Sequence, residues 1–512
     1  MSLAVVYSRA QVGISAPLVS VEVHISRGLP GLSIVGLPET AVKESKDRVR
    51  AAILNSHFEF PARRITINLA PADLPKEGGS FDLAIAIGIL AASEQIPELA
   101  LQRYEFFGEL ALGGAIRSVR GILPAAIQTR NAQRKIILPE SNASEAALVS
   151  NLDVLVAPHL LQLCEHLRGQ NIINPWVAPV PLKNADRPVE NNSEHLDLMD
   201  VNGQHHVKRA LEIAAAGSHS LLMIGPPGTG KTMLASRLPS ILPAMTEDEA
   251  LQTVAIASIY ERQLDLSKWL RRPFRAPHHT ASGVALVGGG RNANPGEISL
   301  AHNGVLFLDE LPEFSRKVLE VLREPLESGK IVISRAAKQA EYPASFQLIA
   351  AMNPCPCGYL GHSNGRCHCS SDQVQRYRNK LSGPLLDRID LHVEVPNLSH
   401  AQMTDPTQVG DSSKIVSKRV RRCRDLQQRR SGKPNARLNN REIKQLCVLS
   451  DRDNTLLETA IDKFGLSARA YHRILKISRT IADMADSEKI RTAHLTEAIS
   501  YRKLDRRELV VS

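Results

Sequence analysis

The hydrophobic pattern of the first 170 residues combines two periods. Over residues 19–25 every second residue is apolar, which is the period of a strand with one buried face. Residues 65–69 repeat that period, whereas the apolar residues within 42–53 recur at helical spacing. The pattern predicts a mixed α/β domain over residues 1–173.

The pattern changes twice further along the chain. A polar, proline-bearing stretch over residues 174–195 predicts a linker. Three short, continuously apolar runs then follow, at 221–224, 305–308 and 348–351, and such runs are typical of strands buried on both faces of a parallel sheet. They predict an α/β core over residues 196–398. The remainder, 399–512, has helical periodicity and predicts an α-helical domain.

The segment after the first apolar run has the composition of a phosphate-binding loop (P-loop). It lies between a predicted strand and a predicted helix, as the motif requires. Its glycines let backbone N–H groups turn towards phosphate at a helix N-terminus. Lys231 is predicted to reach the β- and γ-phosphates of ATP, and Thr232 to offer its hydroxyl to Mg²⁺. The loop consists of Gly225, Pro226, Pro227, Gly228, Thr229, Gly230, Lys231 and Thr232.

Polar residues follow the other two apolar runs. Asp309 and Glu310 come directly after the second run. Asp309 is predicted to hold Mg²⁺, directly or through water, and Glu310 to polarise the attacking water. Asn353 ends the third run, and we expect it near the γ-phosphate as a catalytic sensor. The alternative for Asn353 is a residue that only makes a turn at a strand end.

These motifs resemble those of AAA+ ATPases, and three further segments narrow the likeness. Residues 272–280, 295–302 and 382–390 resemble magnesium-chelatase-like AAA+ proteins. Together with the N-terminal domain they are similar to the YifB/ComM competence-protein family over essentially the whole chain. The resemblance implies a P-loop AAA+ core with a parallel sheet and an α-helical lid.

The resemblance also implies roles for two arginines. In related rings an arginine of a similar motif reaches the γ-phosphate of the neighbouring subunit, and Arg388 matches it, although Ile389 replaces the usual Phe. The alternative is a surface arginine paired with an adjacent aspartate. Arg469 is similar to the second sensor of the lid, and Arg473 is the competing candidate.

A residue that acts on a neighbour's nucleotide requires an oligomer, and the AAA+ likeness implies a hexamer. The family likeness further implies a DNA helicase that promotes branch migration in homologous recombination and natural transformation. Its expected partners are single-stranded or branched DNA and recombination proteins. The alternative function is a remodelling ATPase of magnesium-chelatase type that acts on a protein partner.

Four of the seven cysteines lie within fifteen residues. The odd total and this clustering argue against a secreted disulfide framework and for a reducing compartment. Two Cys-x-Cys pairs can surround Zn²⁺ tetrahedrally, although Cys-x-x-Cys is the commoner spacing. Reduced thiols or disulfides are the alternatives. The four predicted zinc ligands are Cys355, Cys357, Cys367 and Cys369.

Part of the N-terminal domain is similar to a Lon-type protease domain of S5-like fold. Residues 75–82 resemble the segment that carries the nucleophilic serine, here Ser80. The lysine that must take the serine proton aligns with Leu123, and the nearby Arg120 is a poor substitute because a guanidinium stays protonated. We therefore expect a Lon-like fold without peptidase activity, which argues against an ATP-dependent protease.

The formal net charge of +10 and the pI of about 9.3 favour binding to polyanions. The densest basic stretch, residues 414–437, contains ten Lys or Arg side chains and one acidic residue, Asp425. It indicates either a DNA-binding segment or a solvated helix face. A hairpin over 331–338 is predicted to line the pore, with Arg335 and Lys338 as DNA contacts and Arg291 as a second candidate. An aromatic content of 4% favours contacts with the DNA backbone over base stacking.

The chain has no apolar run of about 18 residues, since its best candidate, 83–92, is short and flanked by charge. Its first thirty residues lack a basic segment followed by an apolar one, so no signal peptide is predicted. These features lead us to expect a cytoplasmic protein that does not associate with membranes.

Overall fold

The fold is taken from a computed structural model of the 512-residue chain. Arg291 and most of the predicted linker lie outside the residues that the structure describes. The described residues are 2–36, 42, 44–74, 76, 78–177, 196–260, 265, 269–290, 293–335, 338–361, 365–397 and 410–502.

The N-terminal domain is a seven-stranded mixed sheet with helices packed against it. The alternating segments at 19–25 and 65–69 are confirmed as strands. Sheet order is β3-β4-β2-β1-β5-β8-β9, and β6 and β7 form a separate ribbon. The strands are β1 Ser2–Arg9, β2 Leu18–Ser26, β3 Gly31–Val35, β4 Arg64–Ala70, β5 Tyr104–Phe106, β6 Glu109–Leu110, β7 Ile116–Arg117, β8 Lys135–Leu138 and β9 Val154–Val156. The helices are α1 Ser45–Asn55, α2 Asp82–Ala92, α3 Ile122–Asn131, α4 Ala143–Ala146 and α5 Leu160–Leu167.

Helix α2 forms the centre of this domain's core. All eleven of its residues are buried, and it packs against β1, β2 and α1. Gly88 permits the closest approach, because a Cβ there would lie 2.6 Å from Cγ2 of Val23. The apolar run at 83–92 is therefore a core helix. Among the described residues, no helix has both the length and the apolar character needed to cross a membrane.

The middle of the chain forms a five-stranded parallel sheet in the order β11-β14-β17-β10-β18. All three predicted buried runs are confirmed as strands of this sheet. The strands of this region are β10 Leu221–Ile224, β11 Phe274–Arg275, β12 Gly288–Gly289, β13 Asn294–Pro295, β14 Val305–Leu308, β15 Lys330–Arg335, β16 Lys338–Pro343, β17 Gln347–Met352 and β18 Leu391–Glu394. The helices are α6 His205–Gly217, α7 Lys231–Ile241, α8 Glu247–Tyr260, α9 Gly283–Val287, α10 Glu297–Leu300, α11 Arg316–Val321, α12 Arg323–Ser328, α13 Ser371–Arg378 and α14 Gly383–Leu386.

The sheet topology determines where a ligand can bind. Strands β11, β14 and β17 all lie on one side of β10, and the chain then crosses from β17 to β18 on the other side, so the strand order reverses at β10. In open parallel sheets the crevice for a ligand forms at such a reversal, beyond the carboxyl ends of the strands. The loop after β10 is the predicted phosphate-binding loop.

The C-terminal domain consists of helices and shares an apolar core with the five-stranded parallel sheet. Val416 and Val420 of its first helix are buried in one cluster with Leu211 of α6 and Leu238 of α7. This core joins the helical domain to the helices that flank β10. Its helices are α15 Ser413–Ser431, α16 Asn440–Leu446, α17 Asp451–Phe464, α18 Ala468–Met484 and α19 Thr492–Ser500.

The N-terminal domain packs directly on the central α/β domain that contains the parallel sheet. Leu123 of α3 belongs to the same buried cluster as Ala250 and Val254 of α8. The backbone N–H of Gly121 donates to the carbonyl oxygen of Ser258 at the end of α8 (3.3 Å). Leu123, which occupies the position of the Lon lysine, is therefore a fully buried residue of the domain interface.

Candidate nucleotide site

The P-loop connects β10 to α7 in a conformation that depends on glycine. Gly228 and Gly230 have φ values of +80° and +84°, in the left-handed region that favours glycine. A Cβ at Gly225 would lie 2.2 Å from the carbonyl oxygen of Val395, whereas the space around a Cβ at Gly228 is open for 4 Å. The loop is thus packed tightly where it leaves the sheet and open where phosphate is predicted to bind.

Lys231 is the first residue of α7, and its ammonium group is held inside the loop. Its Nζ donates to the carbonyl oxygens of Gly225 (2.7 Å) and Pro226 (2.8 Å) and to Oδ1 of Asn353 (3.1 Å). Burial lowers the pKa of Lys231, while the carboxylates of Asp309 and Glu310 act in the opposite direction. The structure therefore brings the predicted lysine, both acidic residues and the predicted sensor into one site.

The oxygen atoms proposed for Mg²⁺ meet beside this lysine. The hydroxyl of Thr232 donates to Oδ2 of Asp309 (2.5 Å), although 77 residues separate them in sequence. Hydroxyl and carboxylate oxygens are the hard ligands that Mg²⁺ prefers, and it is usually held by one or two protein groups plus phosphate and water. The donor set of Thr232 and Asp309 therefore fits the ion.

Glu310 has two unusual features. Its φ of +51° is uncommon for a residue with a side chain, and such strain often occurs at active sites. Its carboxylate oxygen Oε2 lies 3.1 Å from Nδ1 of His279, whose ring contacts that of His278 with centroids 4.1 Å apart. The sequence alone gives His279 no individual role. It belongs to the family-like segment 272–280, but nothing in its spacing indicates that it contacts Glu310.

The four clustered cysteines are brought together immediately beyond Asn353. Ligand atoms of Cys355, Cys357, Cys367 and Cys369 all lie within 4.8 Å of one another, and all seven cysteines are free thiols. Three Sγ–Sγ distances are 3.4, 3.6 and 3.7 Å. A zinc tetrahedron with Zn–S bonds of about 2.3 Å has S–S edges of about 3.8 Å, so the cluster has the size that zinc requires.

The cysteine loop also contacts the P-loop. A Cβ at Gly358, where φ is +83°, would lie 2.7 Å from Cδ of Pro227 and 3.7 Å from Cγ of Asn353. The backbone N–H of Tyr359, assisted by the neighbouring thiols, lowers the pKa of Cys357 to about 6. A lowered pKa favours the thiolate, which is the form that binds metal.

Arg388 and Arg469 do not contact the P-loop of their own chain among the described contacts. Arg388 is 5% exposed, and its Nη2 lies 2.6 Å from Oε1 of Glu327. The same oxygen lies 3.6 Å from Nη2 of Arg469, a far more exposed side chain. We call these three residues the arginine cluster. Within the described part of the chain, Arg388 does not pair with an adjacent aspartate.

The competing sensor candidate, Arg473, has a different environment. It forms a salt bridge with Asp390, which is buried and also lies 3.4 Å from Nδ1 of His219. Burial opposes ionisation of Asp390, but Arg473 and His219 outweigh it and hold the pKa of Asp390 well below its usual range. Arg473 thus belongs to a buried ion pair within the core.

The predicted pore hairpin is formed by β15 and β16, which pair in antiparallel register. Ile331 and Ile333 anchor its first strand in the core. Arg335 and Lys338 face each other in that register at the end of the hairpin, and their side chains lie outside the described ones. Their roles and that of Arg291 stay predictions.

Half of the basic stretch at 414–437 is used within the fold. Helix α15 directs Arg424 inwards, where it donates to the carbonyl oxygens of Ala215 and Ala216. Four others form ion pairs; these are Arg419, Arg422, Arg430 and Lys433. The other five cations are exposed and have no ion pair among the described residues; these are Lys414, Lys418, Arg421, Arg429 and Arg437. The stretch is thus divided between cations used within the fold and cations left at the surface.

The fold and the site together define a P-loop ATPase of the AAA+ class. A family model described as magnesium chelatase, subunit ChlI, matches residues 197–403. Two further models match as well: subunit ChlI of Mg-chelatase over residues 21–142, and the ChlI C-terminal region over residues 410–502. The chain belongs to the YifB/ComM family of magnesium-chelatase-like AAA+ proteins, because it is more than 50% identical to two members of that family over 99% of its length.

Two relatives match over almost their whole length. Competence protein ComM of Haemophilus influenzae is 53% identical over 506 residues, which is 99% of this chain and 98% of that protein. The protein YifB of Escherichia coli is 51% identical over the same shares. The magnesium-chelatase 38 kDa subunit of Cereibacter sphaeroides is 24% identical over 38% of this chain and 56% of its own length.

Proposed function

We propose that this chain forms a hexameric ring that binds DNA, hydrolyses ATP between its subunits and moves along the DNA to drive branch migration. The observation that carries the proposal is the separation of its catalytic groups. The P-loop lies at the carboxyl end of β10, whereas Arg388 lies beside the amino end of that strand. Catalysis with both groups therefore needs two subunits.

The position of Arg388 follows from the strand register. Leu391 of β18 pairs with Leu221, the first residue of β10, so Arg388 precedes the paired region. The hydroxyl of Ser220, just before β10, donates to the carbonyl oxygen of Arg388 (3.2 Å). Four strand residues, at about 3.3 Å each, separate this end from the P-loop.

Each group in the nucleotide site has a chemical role suited to ATP hydrolysis. Lys231 exchanges its contacts with loop carbonyls for the β- and γ-phosphates, and Asn353 holds it in place from the side of the reacting phosphate. Thr232 and Asp309 would hold Mg²⁺, which would neutralise developing charge on the phosphates. Glu310 orients and polarises the attacking water. A guanidinium from the adjacent subunit stabilises the transferring phosphoryl group, a contribution of about 10³–10⁵ in rate in related enzymes.

Two features support DNA as the substrate track. The hairpin β15–β16 is anchored in the core through Ile331 and Ile333 and carries Arg335 and Lys338 at its end. The relative with 53% identity is named a competence protein, which agrees with the role in natural transformation that the family resemblance implies. A net charge of +10 adds a general attraction to the DNA backbone.

We further propose structural Zn²⁺ in the four-cysteine cluster. The sulfur spacing supports it, and Zn²⁺ supplies a fixed tetrahedral cross-link when bound. Cys355, Cys357, Cys367 and Cys369 would act as thiolate ligands. Their loop contacts Pro227 and Asn353, so its rigidity would stabilise the nucleotide site.

A second function is favoured by the magnesium-chelatase relationship. A chelatase-type ATPase remodels a protein partner, and the ATPase core of this chain is of that family. Stimulation of hydrolysis by DNA distinguishes the two functions.

The experiment that tests the main proposal is a branch-migration assay on four-way DNA with the purified full-length protein. Wild type should move the junction with ATP, and Glu310→Gln should bind ATP with near-normal affinity yet move no junction. Lys338→Ala should impair junction movement more than basal hydrolysis. The proposal fails if wild type moves no junction and four-way DNA leaves its hydrolysis rate unchanged.

A further inference from the structure

The arginine cluster contains an acidic residue to which no function has been attached. Glu327 lies on α12, and its Oε1 contacts both Arg388 (2.6 Å) and Arg469 (3.6 Å). These three residues come from segments separated by about 60 to 140 positions in the sequence. Two cations thus converge on a single carboxylate oxygen, so the cluster keeps a net positive charge.

The guanidinium of Arg388 is buried but incompletely satisfied. Its Nη1 donates to the carbonyl oxygen of Pro384 (2.7 Å), and its Nη2 faces Glu327. Its Nε has no hydrogen-bond partner among the described residues. An unsatisfied buried donor is unfavourable, so a ligand with more acceptor oxygens than one carboxylate can compete for this group. A phosphoryl group has three such oxygens.

Glu327 is also placed close to the pore hairpin. It is the penultimate residue of α12, which ends at Ser328. Gly329, with a φ of +69°, turns the chain directly into β15, and its carbonyl oxygen accepts from the backbone N–H of Ala344 just after β16 (2.8 Å). Any displacement of the end of α12 is therefore transmitted to both strands of the hairpin.

We propose that Glu327 is a positioning residue whose carboxylate competes with the neighbouring subunit's phosphate for Arg388 and so links that subunit's nucleotide to the hairpin. While Arg388 is paired with Glu327, α12 and the base of the hairpin are held against the arginine cluster. When Arg388 turns to the phosphate, Glu327 loses this partner and α12 is released. This inference rests on the proposed function, because it requires Arg388 to act on an adjacent subunit.

The test compares Glu327→Gln with Glu324→Gln in the full-length protein. Glu324 lies one turn earlier on α12, is exposed and has no ion pair among the described residues, so its replacement removes the same charge from the same helix. ATP hydrolysis is measured without DNA and with four-way DNA. Because Glu327→Gln removes the competing carboxylate, its rate of ATP hydrolysis without DNA should rise by up to about fivefold. This factor corresponds to about 1 kcal/mol, the typical upper value for a partly exposed ion pair. Stimulation by DNA should fall, and Glu324→Gln should match wild type.

Two further variants separate competition from a merely structural role. Glu327→Asp keeps the charge on a shorter side chain and should give an intermediate rate. In an Arg388→Ala background, Glu327→Gln should cause no further change, because the group for which it competes is gone. A DNA-independent rate that is unchanged or lower in Glu327→Gln overturns the inference, as does an equal effect of Glu324→Gln. Failure of the proposed function is recognised separately, since wild type itself would then neither move a junction nor respond to DNA.

Discussion

At the scale of single residues, the nucleotide site combines groups whose environments are set by burial. Lys231 and Asn353 are joined by a hydrogen bond, and Thr232 and Asp309 by another. Outside the site, burial also shifts the titration of His302, just before β14. This histidine is buried, and burial lowers its pKa to about 4. Its Nδ1 accepts from the backbone N–H of Ser345 (3.0 Å).

The environment of His302 predicts a pH dependence of stability. Because its pKa is lowered on folding, the unfolded chain takes up a proton below about pH 6.5 while the native protein does not until about pH 4. Stability should therefore fall by up to about 1.4 kcal/mol per pH unit within that window from this group. His302→Asn, which keeps an acceptor for Ser345, should be less stable at pH 7.5 but lose less stability on acidification.

The measurement is thermal unfolding at pH 7.5 and pH 5 for wild type and His302→Asn. His278→Asn, at an exposed position, is the control for histidine removal. Equal shifts of the melting temperature in wild type and His302→Asn would show that His302 does not carry this pH dependence.

At the scale of elements, loops at the carboxyl ends of the parallel strands create the site. The P-loop follows β10, the acidic pair follows β14, and Asn353 with the cysteine loop follows β17. Because these strands are neighbours in the sheet, residues more than 120 positions apart meet within hydrogen-bond distance. The contact of Gly358 with Pro227 extends this site to the cysteine loop.

The four-cysteine cluster predicts the metal content of the purified protein. Protein purified without chelator should contain about one zinc per chain, and Cys357→Ser should lose it. Cys164→Ala removes a thiol buried in the N-terminal core, far from the four clustered cysteines in sequence, and should keep its zinc. If wild type contained no zinc and bound ATP normally, both proposals would be wrong: that the cluster binds zinc, and that zinc stabilises the nucleotide site. The measurement is plasma emission spectroscopy combined with nucleotide titration.

At the scale of the whole molecule, the central question is whether the active site is shared between copies. The separation of the P-loop from Arg388 predicts that subunits complement one another. Arg388→Ala chains keep an intact P-loop, and Lys231→Ala chains keep an intact guanidinium. Neither variant alone should hydrolyse ATP efficiently. For Arg388→Ala, which lacks the guanidinium, the rate should be at least about 10³-fold lower than that of wild type. A 1:1 mixture should recover activity at the interfaces that join the two intact groups, about a quarter of the total for random assembly in a closed ring.

The mixing experiment is read as hydrolysis rate against the fraction of each variant at constant total protein. A maximum near equal proportions is the expected result. A rate that stays at the level of the separate variants at every ratio would mean that each subunit cleaves ATP with its own groups alone.

Much of this protein follows from its sequence. The P-loop, the acidic pair and the three buried strands were predictable because phosphate binding and burial impose local patterns on consecutive residues. The cysteine cluster was predictable for the same reason, since two Cys-x-Cys pairs place their thiols in a short segment. Alternation in the N-terminal domain likewise located β2 and β4.

Other properties were decided only by the tertiary structure, because they depend on which distant segments meet. The contact of His279 with Glu310, the convergence of two arginines on Glu327 and the ion pairs that occupy the basic helix join residues with no shared local pattern. Charge in a sequence does not reveal its partner, so a dense basic stretch can equally be a binding surface or a paired helix face. Packing uses half of the cations in this stretch within the fold and leaves the other half exposed, and it also placed Arg388 at the end of the sheet away from its own P-loop.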